Sequence, residues 1–192
     1  MNRMARRYFD LTDDMTIQGR WLLGTPTDVQ GQEVDDPWMF YRGERLPDLG
    51  PLKLPINVPG RALDFSRAAF AAPVVHARVA AVFSELAPEA VQILPVEIEG
   101  QSEPFFILVA TQLVQCIDER ASRHVRRWTP EDGRPEKVGK YRDVRGMRID
   151  PSQVGDAKIF RPWGWSIALI VREDIKDALE HLGATGPKFQ EV

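Results

Sequence analysis

Two apolar runs, Val91-Gln-Ile-Leu-Pro-Val-Glu-Ile-Glu99 and Phe105-Phe-Ile-Leu-Val-Ala-Thr-Gln-Leu-Val-Gln-Cys-Ile117, flank the turn-rich segment Gly100-Gln-Ser-Glu-Pro104. Stretches rich in Val, Ile and Phe and bounded by turn residues read as strands, so the pair is predicted to form an antiparallel hairpin or two neighbours in a main sheet. Just upstream the period changes. Val75, Val79, Val82, Phe83 and Leu86 recur at the spacing of one helical face, Pro73 suits a helix start, and the pattern stops before Pro88. A helix feeding a hairpin makes this an α+β chain rather than an all-β one.

Working toward the N-terminus, Arg7–Leu11 and Trp21–Gly24 read as short strands, and Trp38–Arg42 as a strand entered from Asp35-Asp36-Pro37. Leu52–Val58 is extended, but Pro55 within it confines it to an edge or an irregular strand. Toward the C-terminus, Ala121–Trp128 suits a short helix or a strand, followed by a turn-rich loop over Thr129–Pro135 and an extended Tyr141–Ile149. Ala157–Phe160 and Trp165–Val171 are predicted strands around an Arg161-Pro162-Trp163-Gly164 turn. The last helix carries Ile175, Ala178, Leu179 and Leu182 on one stripe, Asp174 and Asp177 spaced as a capping pair, His181 in its last turn and Gly183 beyond it. A short strand over Lys188–Val192 closes the chain. The expected architecture is a mostly antiparallel sheet with about two main helices packed on it, in a single domain over residues 1–192.

Composition bounds the function. With 43% hydrophobic and 28% charged residues among 192, the chain is expected to fold around a core. No apolar run approaches the roughly 20 residues of a membrane helix. The basic start Met1–Arg7 leads into Tyr-Phe-Asp-Leu-Thr instead of an apolar core, so it does not read as a secretory signal, and the protein is expected in the cytoplasm without a membrane partner. The net charge is only −3, yet Tyr8–Asp48 holds nine acidic residues against three arginines, and Glu119–Asp150 ten basic against six acidic. Interspersed solvated charge is the ordinary reading of such imbalance; an acidic face matched to a basic protein partner is the functional one. Overall acidity argues against direct binding of nucleic acid.

The search for chemistry excludes more than it finds. Cys116 is the one cysteine and sits in an apolar run, which suits a small buried side chain rather than a reactive thiol, and leaves no disulfide and no cysteine cluster. His76, His124 and His181 are scattered without ligand spacing, so no metal or cofactor is expected. There is no Gly-x-Ser-x-Gly elbow and no phosphate-binding loop. Asp13-Asp14 and Asp35-Asp36 are paired carboxylates, but adjacent residues on an extended segment point to opposite faces and need not converge on a substrate. No catalytic residue is assigned, and the chain is not expected to be an enzyme. Trp21, Trp38 and Trp128 fall near strand or loop ends, where a large ring commonly closes the edge of a core. Arg161-Pro-Trp163-Gly-Trp165 is denser and suits either a core plug or an exposed anchor, since Trp and Arg are enriched at binding hot spots.

Several stretches together carry a family resemblance: Arg7-Tyr-Phe-Asp-Leu, Arg20-Trp-Leu-Leu-Gly, Glu33-Val-Asp-Asp-Pro-Trp38, Leu94-Pro-Val-Glu-Ile-Glu-Gly100, Phe106-Ile-Leu-Val, Cys116-Ile-Asp118 and Ala157-Lys-Ile-Phe-Arg-Pro-Trp163, with the Ile175–Leu182 helix. From about Arg6 to Val192 the chain resembles the immunity proteins of bacterial polymorphic-toxin systems. The resemblance implies a cytoplasmic protein that protects the producing cell by binding the effector domain of a cognate toxin, often a nuclease. It transfers no functional residue. On physical grounds the partner-binding candidates are Asp35, Asp36 and Trp38 in the acidic N-terminal third, and Arg161, Trp163 and Trp165 in the aromatic turn. The alternatives are a hydrolase-type enzyme that disarms a toxin or its product, and an adaptor module of a secretion complex.

Overall fold

In the computed structural model the described residues are 6–192, so Met1–Ala5 of the basic start lie outside them. In chain order the strands are β1 (Tyr8–Asp13), β2 (Leu22–Leu23), β3 (Leu52–Leu54), β4 (Ile56–Val58), β5 (Phe65–Arg67) and β6 (Pro73–His76). Helix α1 (Ala77–Leu86) follows, then β7 (Val91–Ile98), β8 (Phe105–Ala110), β9 (Leu113–Val114), β10 (His124–Arg127), β11 (Tyr141–Arg145), β12 (Ile159–Pro162) and β13 (Ile170–Arg172). Helix α2 (Glu173–His181) and β14 (Pro187–Glu191) complete the chain.

The strands build two five-stranded sheets, β14-β1-β13-β12-β9 and β3-β7-β8-β6-β5, and two small ribbons, β10-β11 and β2-β4. Pairing is antiparallel except for β12 with β9 and β3 with β7, each at a sheet edge. The architecture is therefore the expected α+β arrangement, mostly antiparallel with two helices. The predicted hairpin is its centre: β7 and β8 pair in antiparallel register from Val91↔Ala110 to Val96↔Phe105.

Both large sheets are buried on two sides, and this explains the apolar runs. Ile159 and Val171 of the first sheet, Phe65, Val75 and Leu108 of the second, Val79 and Phe83 of α1, and Ile175 and Leu179 of α2 share one core. The alternate residues Val74, Ile107 and Val109 turn to a second core with Trp21 and Phe40, while Phe160 and Ile170 turn to a third with Tyr8 and Cys116. A strand covered on both faces loses the apolar–polar alternation and reads as continuous hydrophobicity.

That property misdirected the reading of Pro73, which begins β6 and not the helix. The chain turns helical only at Ala77, where the His76 ring accepts from the Arg78 N–H at 3.2 Å as N-cap. The Phe105–Ile117 run is likewise two strands: β8 ends at Ala110, and Leu113–Val114 crosses to the other sheet to pair with β12. Leu52–Val58 divides at Pro55, with β3 joining one sheet and β4 pairing with β2. Of Trp165–Val171 only Ile170 and Val171 are in a strand, and Ala121–Trp128 holds the strand β10. β5 had no alternation long enough to be read. In α2 the Asp174 carboxylate pairs with Arg172 at 2.7 Å and does not cap, because the N-cap residue is Arg172 itself. At the other end His181 Nδ1 donates to the Asp177 carbonyl at 2.7 Å, and Gly183 takes the left-handed conformation expected after a helix.

Two tight contacts join the sheets. Asp64 accepts both Arg78 N–H groups at 2.9 Å and the Thr185 N–H at 2.7 Å, tying α1 to the segment after α2. Gly186 passes so close to β5 that a Cβ there would lie 2.0 Å from the Phe65 carbonyl oxygen, which only glycine permits.

Candidate functional site

The segment Asp35–Tyr41 is not a strand. Asp36 accepts the Trp38 N–H at 3.1 Å and Pro37 occupies the first position, so residues Pro37–Tyr41 wind into a 3₁₀ turn. Helical spacing then splits the aromatic residues. Phe40 is fully buried in the second core, whereas Trp38 is 47% exposed. Its ring meets Phe70 edge-on at 4.6 Å and Tyr41 at 5.7 Å. Phe70 is itself exposed and, with Ala71, holds a left-handed backbone at φ 57°. Such strain in non-glycine residues costs of order 1–3 kcal/mol and persists only where the surroundings impose it.

Beside this aromatic group lies an acidic cleft of about 390 Å³, lined by Asp28, Glu33, Asp35 and Asp36 over an apolar floor that includes Val34 and Met39. Asp28 accepts the Gln30 and Gln32 N–H groups, and Asp36 pairs with Arg42. Glu33 and Asp35 have no partner among the described residues and present net negative charge to solvent.

The second group of candidates divides. Trp163 is 37% exposed, Trp165 is half-buried against the third core, and Arg161 is buried to 1%. Arg161 therefore presents no charge to a partner. It lies on β12, where its backbone N–H donates to the Gln112 carbonyl at 2.9 Å, and its Nη1 donates to the Ile167 carbonyl at 3.2 Å. Burial pushes its guanidinium down to about 9, against the opposing pull of Asp10, which leaves it charged at neutral pH. Asp10 is pushed up, chiefly by burial, against the Leu169 backbone hydrogen bond and the charges of Arg67 and Arg161.

The two groups adjoin. A cleft of about 330 Å³ runs between Arg42 and Glu44, just beyond the 3₁₀ turn, and Trp163, Gly164 and Ser166. Gly43 makes this contact possible: at φ 75° a Cβ would lie 2.6 Å from the Leu113 side chain. The exposed apolar residues Trp38, Phe70, Leu113 and Trp163 thus belong to neighbouring parts of the surface, contributed by four separate chain segments. Phe70, Tyr41 and Leu113 were not singled out from the sequence; Phe70 sits among alanines, without a pattern to mark it.

The remaining chemistry-bearing residues are engaged elsewhere. Burial pushes the Cys116 thiol up to about 12, so it is protonated and unreactive at neutral pH. His76 Nε2 is 2.9 Å from Glu103. The basic excess on and around the β10-β11 ribbon is largely paired internally: Arg127 with Glu119, Arg142 with Asp132, and Arg145 with Asp143 at 3.0 Å. Among the described residues no three His, Cys, Asp or Glu side chains converge to hold a metal ion, and no helix is long and apolar enough to cross a membrane.

What this part of the surface presents is exposed apolar rings, a left-handed backbone under Phe70 and unpartnered carboxylates. The model of the immunity protein family Imm11 matches residues 7–192, and the chain belongs to that family. None of the curated proteins matches it.

Proposed function

We propose that this chain is a cytoplasmic immunity protein, acting as one domain, that binds the effector domain of a cognate bacterial toxin and neutralises it by stoichiometric occlusion without turnover. The observation that carries the reading is membership of an immunity protein family across nearly the whole chain. The surface supports it. Trp38 and Trp163 supply rings of the kind that anchor interfaces, and Glu33 and Asp35 supply negative charge opposite the cations a nuclease uses to hold DNA. A nuclease effector is therefore the partner we favour.

Co-expression with the effector domain encoded by the neighbouring gene tests the proposal, with survival and co-elution on a sizing column as readouts. Rescue with a stable complex is expected, and replacing Asp35, Asp36 and Trp38 together by alanine should weaken that complex in a folded protein. Rescue at substoichiometric protein without a complex would replace occlusion by an enzymatic mechanism. Binding to secretion components without rescue would make the chain an adaptor.

A further inference from the structure

The two large sheets have four edge strands, β14 and β9 in one and β3 and β5 in the other. An edge strand leaves a row of backbone N–H and C=O groups that can pair with another chain, so folded proteins shorten or cover it. Three of these edges are managed in that way. Lys53 of β3 exchanges two hydrogen bonds with Thr27 at 2.8 Å, Phe65 of β5 donates to the Thr185 carbonyl at 3.0 Å, and β9 is two residues long with Leu113 packed against Gly43. β14, five residues long at the edge opposite β9, has no such cover among the described residues.

The ladder with β1 fixes which groups of β14 face outward. The Val192 N–H donates to the Tyr8 carbonyl at 3.1 Å and the Asp14 N–H to the Gly186 carbonyl at 2.7 Å, so the even-numbered residues of β14 turn their backbone groups toward β1. Pro187, Phe189 and Glu191 turn theirs away. Proline has no N–H to offer, and the Glu191 carbonyl is already taken by Arg148 Nη1 at 3.0 Å. What remains along the edge is acceptor, donor, acceptor, donor: the Pro187 carbonyl, the Phe189 N–H and carbonyl, and the Glu191 N–H. Reversed in direction, that order is its own complement.

We propose that the β14 edge docks a second copy of this chain, whose own β14 adds antiparallel about a two-fold axis at Phe189. Each Phe189 N–H then donates to the other Phe189 carbonyl, and each Glu191 N–H to the other Pro187 carbonyl, with no group of the edge left over. A register shifted by two residues, the smallest that keeps the same faces, leaves groups unmatched. The side chains agree with the two-fold register. Exposed Lys188 falls opposite exposed Gln190 of the other copy, so no like charges meet across the new pair. The candidate surface carries Leu113 of β9, at the opposite edge of the same sheet, so pairing through β14 leaves that surface free in both copies. The inference does not rest on the toxin-binding reading.

Analytical ultracentrifugation of the full chain over a concentration series, paired with amide hydrogen exchange, tests the proposal. The mass should rise toward twice that of one chain, and exchange at Phe189 and Glu191 should slow with the same dependence on concentration. Charge at position 190 tests the register. Gln190→Glu places a carboxylate opposite Lys188 twice per dimer and should tighten dimerisation about two- to thirtyfold, whereas Gln190→Lys should weaken it by a similar factor. Residue 190 is exposed, so both variants keep the fold. A single-chain mass at every concentration, or a dimer indifferent to residue 190, would overturn the proposal. So would protection of these two amides only in complex with a toxin, which gives the edge to a strand of the toxin instead.

Discussion

Asp10 and Asp13 sit three residues apart on β1, and burial acts on both carboxyls, but their partners differ. Asp13 is fully matched: it accepts Arg20 Nη2 at 2.7 Å, Arg67 Nε at 2.7 Å and the Arg67 backbone N–H at 3.2 Å. Burial alone would push its carboxyl up, yet the Arg67 and Arg20 hydrogen bonds outweigh it and the net displacement is downward. Asp10 has the Leu169 backbone hydrogen bond and the charges of Arg67 and Arg161 but no arginine hydrogen bond, so burial wins and its carboxyl is pushed up. The lesson is that proximity of opposite charge does not compensate burial; complete hydrogen bonding does.

The comparison breaks most visibly at Asp13. Asp13→Ala strands Arg20, which is 7% exposed, and should cost about 3–5 kcal/mol in urea or guanidinium unfolding. A loss under about 1 kcal/mol would show that the matched cluster contributes no more than a surface pair.

Next in size is the contrast between the inner charges and the outer rings. Trp38→Ala and Trp163→Ala should each weaken toxin binding by about 2 kcal/mol while leaving stability nearly unchanged, as calorimetry and thermal melts would reveal. Equal losses of affinity and stability would assign both rings to the core instead.

Acid titration separates the two carboxylates by sign. Asp13 has a folded value below its unfolded one, so its stabilisation is present above the ordinary aspartate value of about 3.9 and is lost as pH falls through the folded value. Asp10 has a folded value above its unfolded one, so its contribution is favourable in acid and is lost as pH rises through the folded value. Asp10→Asn should therefore raise stability at neutral pH, with the gain disappearing below about pH 4. A gain that persists undiminished in acid would separate it from ionisation.

The smallest effect is expected at the strained support. Ala71→Gly relieves a left-handed alanine at φ 57° and should stabilise by up to about 1 kcal/mol, read as a rise in melting temperature. Destabilisation there would mean that the backbone entropy of glycine outweighs the relief.

Much of the architecture is legible in local pattern. The α2 stripe of Ile175 and Leu179, the Gly183 stop and the β7–β8 pair follow from periodicity and turn residues, because each depends on contacts within a few residues or across one short loop. The errors have separate causes. Val74 and Val75 look like the start of a helix because β6 is covered on both faces, and Trp38–Tyr41 resembles a strand because its aromatic residues cluster without revealing that Asp36 caps a turn. Of the candidate residues read from the sequence, Asp35, Trp38 and Trp163 are exposed, whereas Arg161 is interior, because spacing along the chain did not reveal that β12 is covered on both faces.

By itself the sequence determined the α+β class, the two main helices, the burial of Cys116 and the resemblance to immunity proteins, all of which rest on composition, short-range spacing and motifs carried along the chain. Only the tertiary structure decided that two five-stranded sheets share a core, that the segments bearing Trp38 and Trp163 adjoin, and that Asp13 of β1 finds its partner in Arg67 of β5, 54 residues away. The physical reason is that spacing along a chain reports which face a residue shares with its near neighbours, while the partner of a buried charge is chosen by how distant strands register when the core closes.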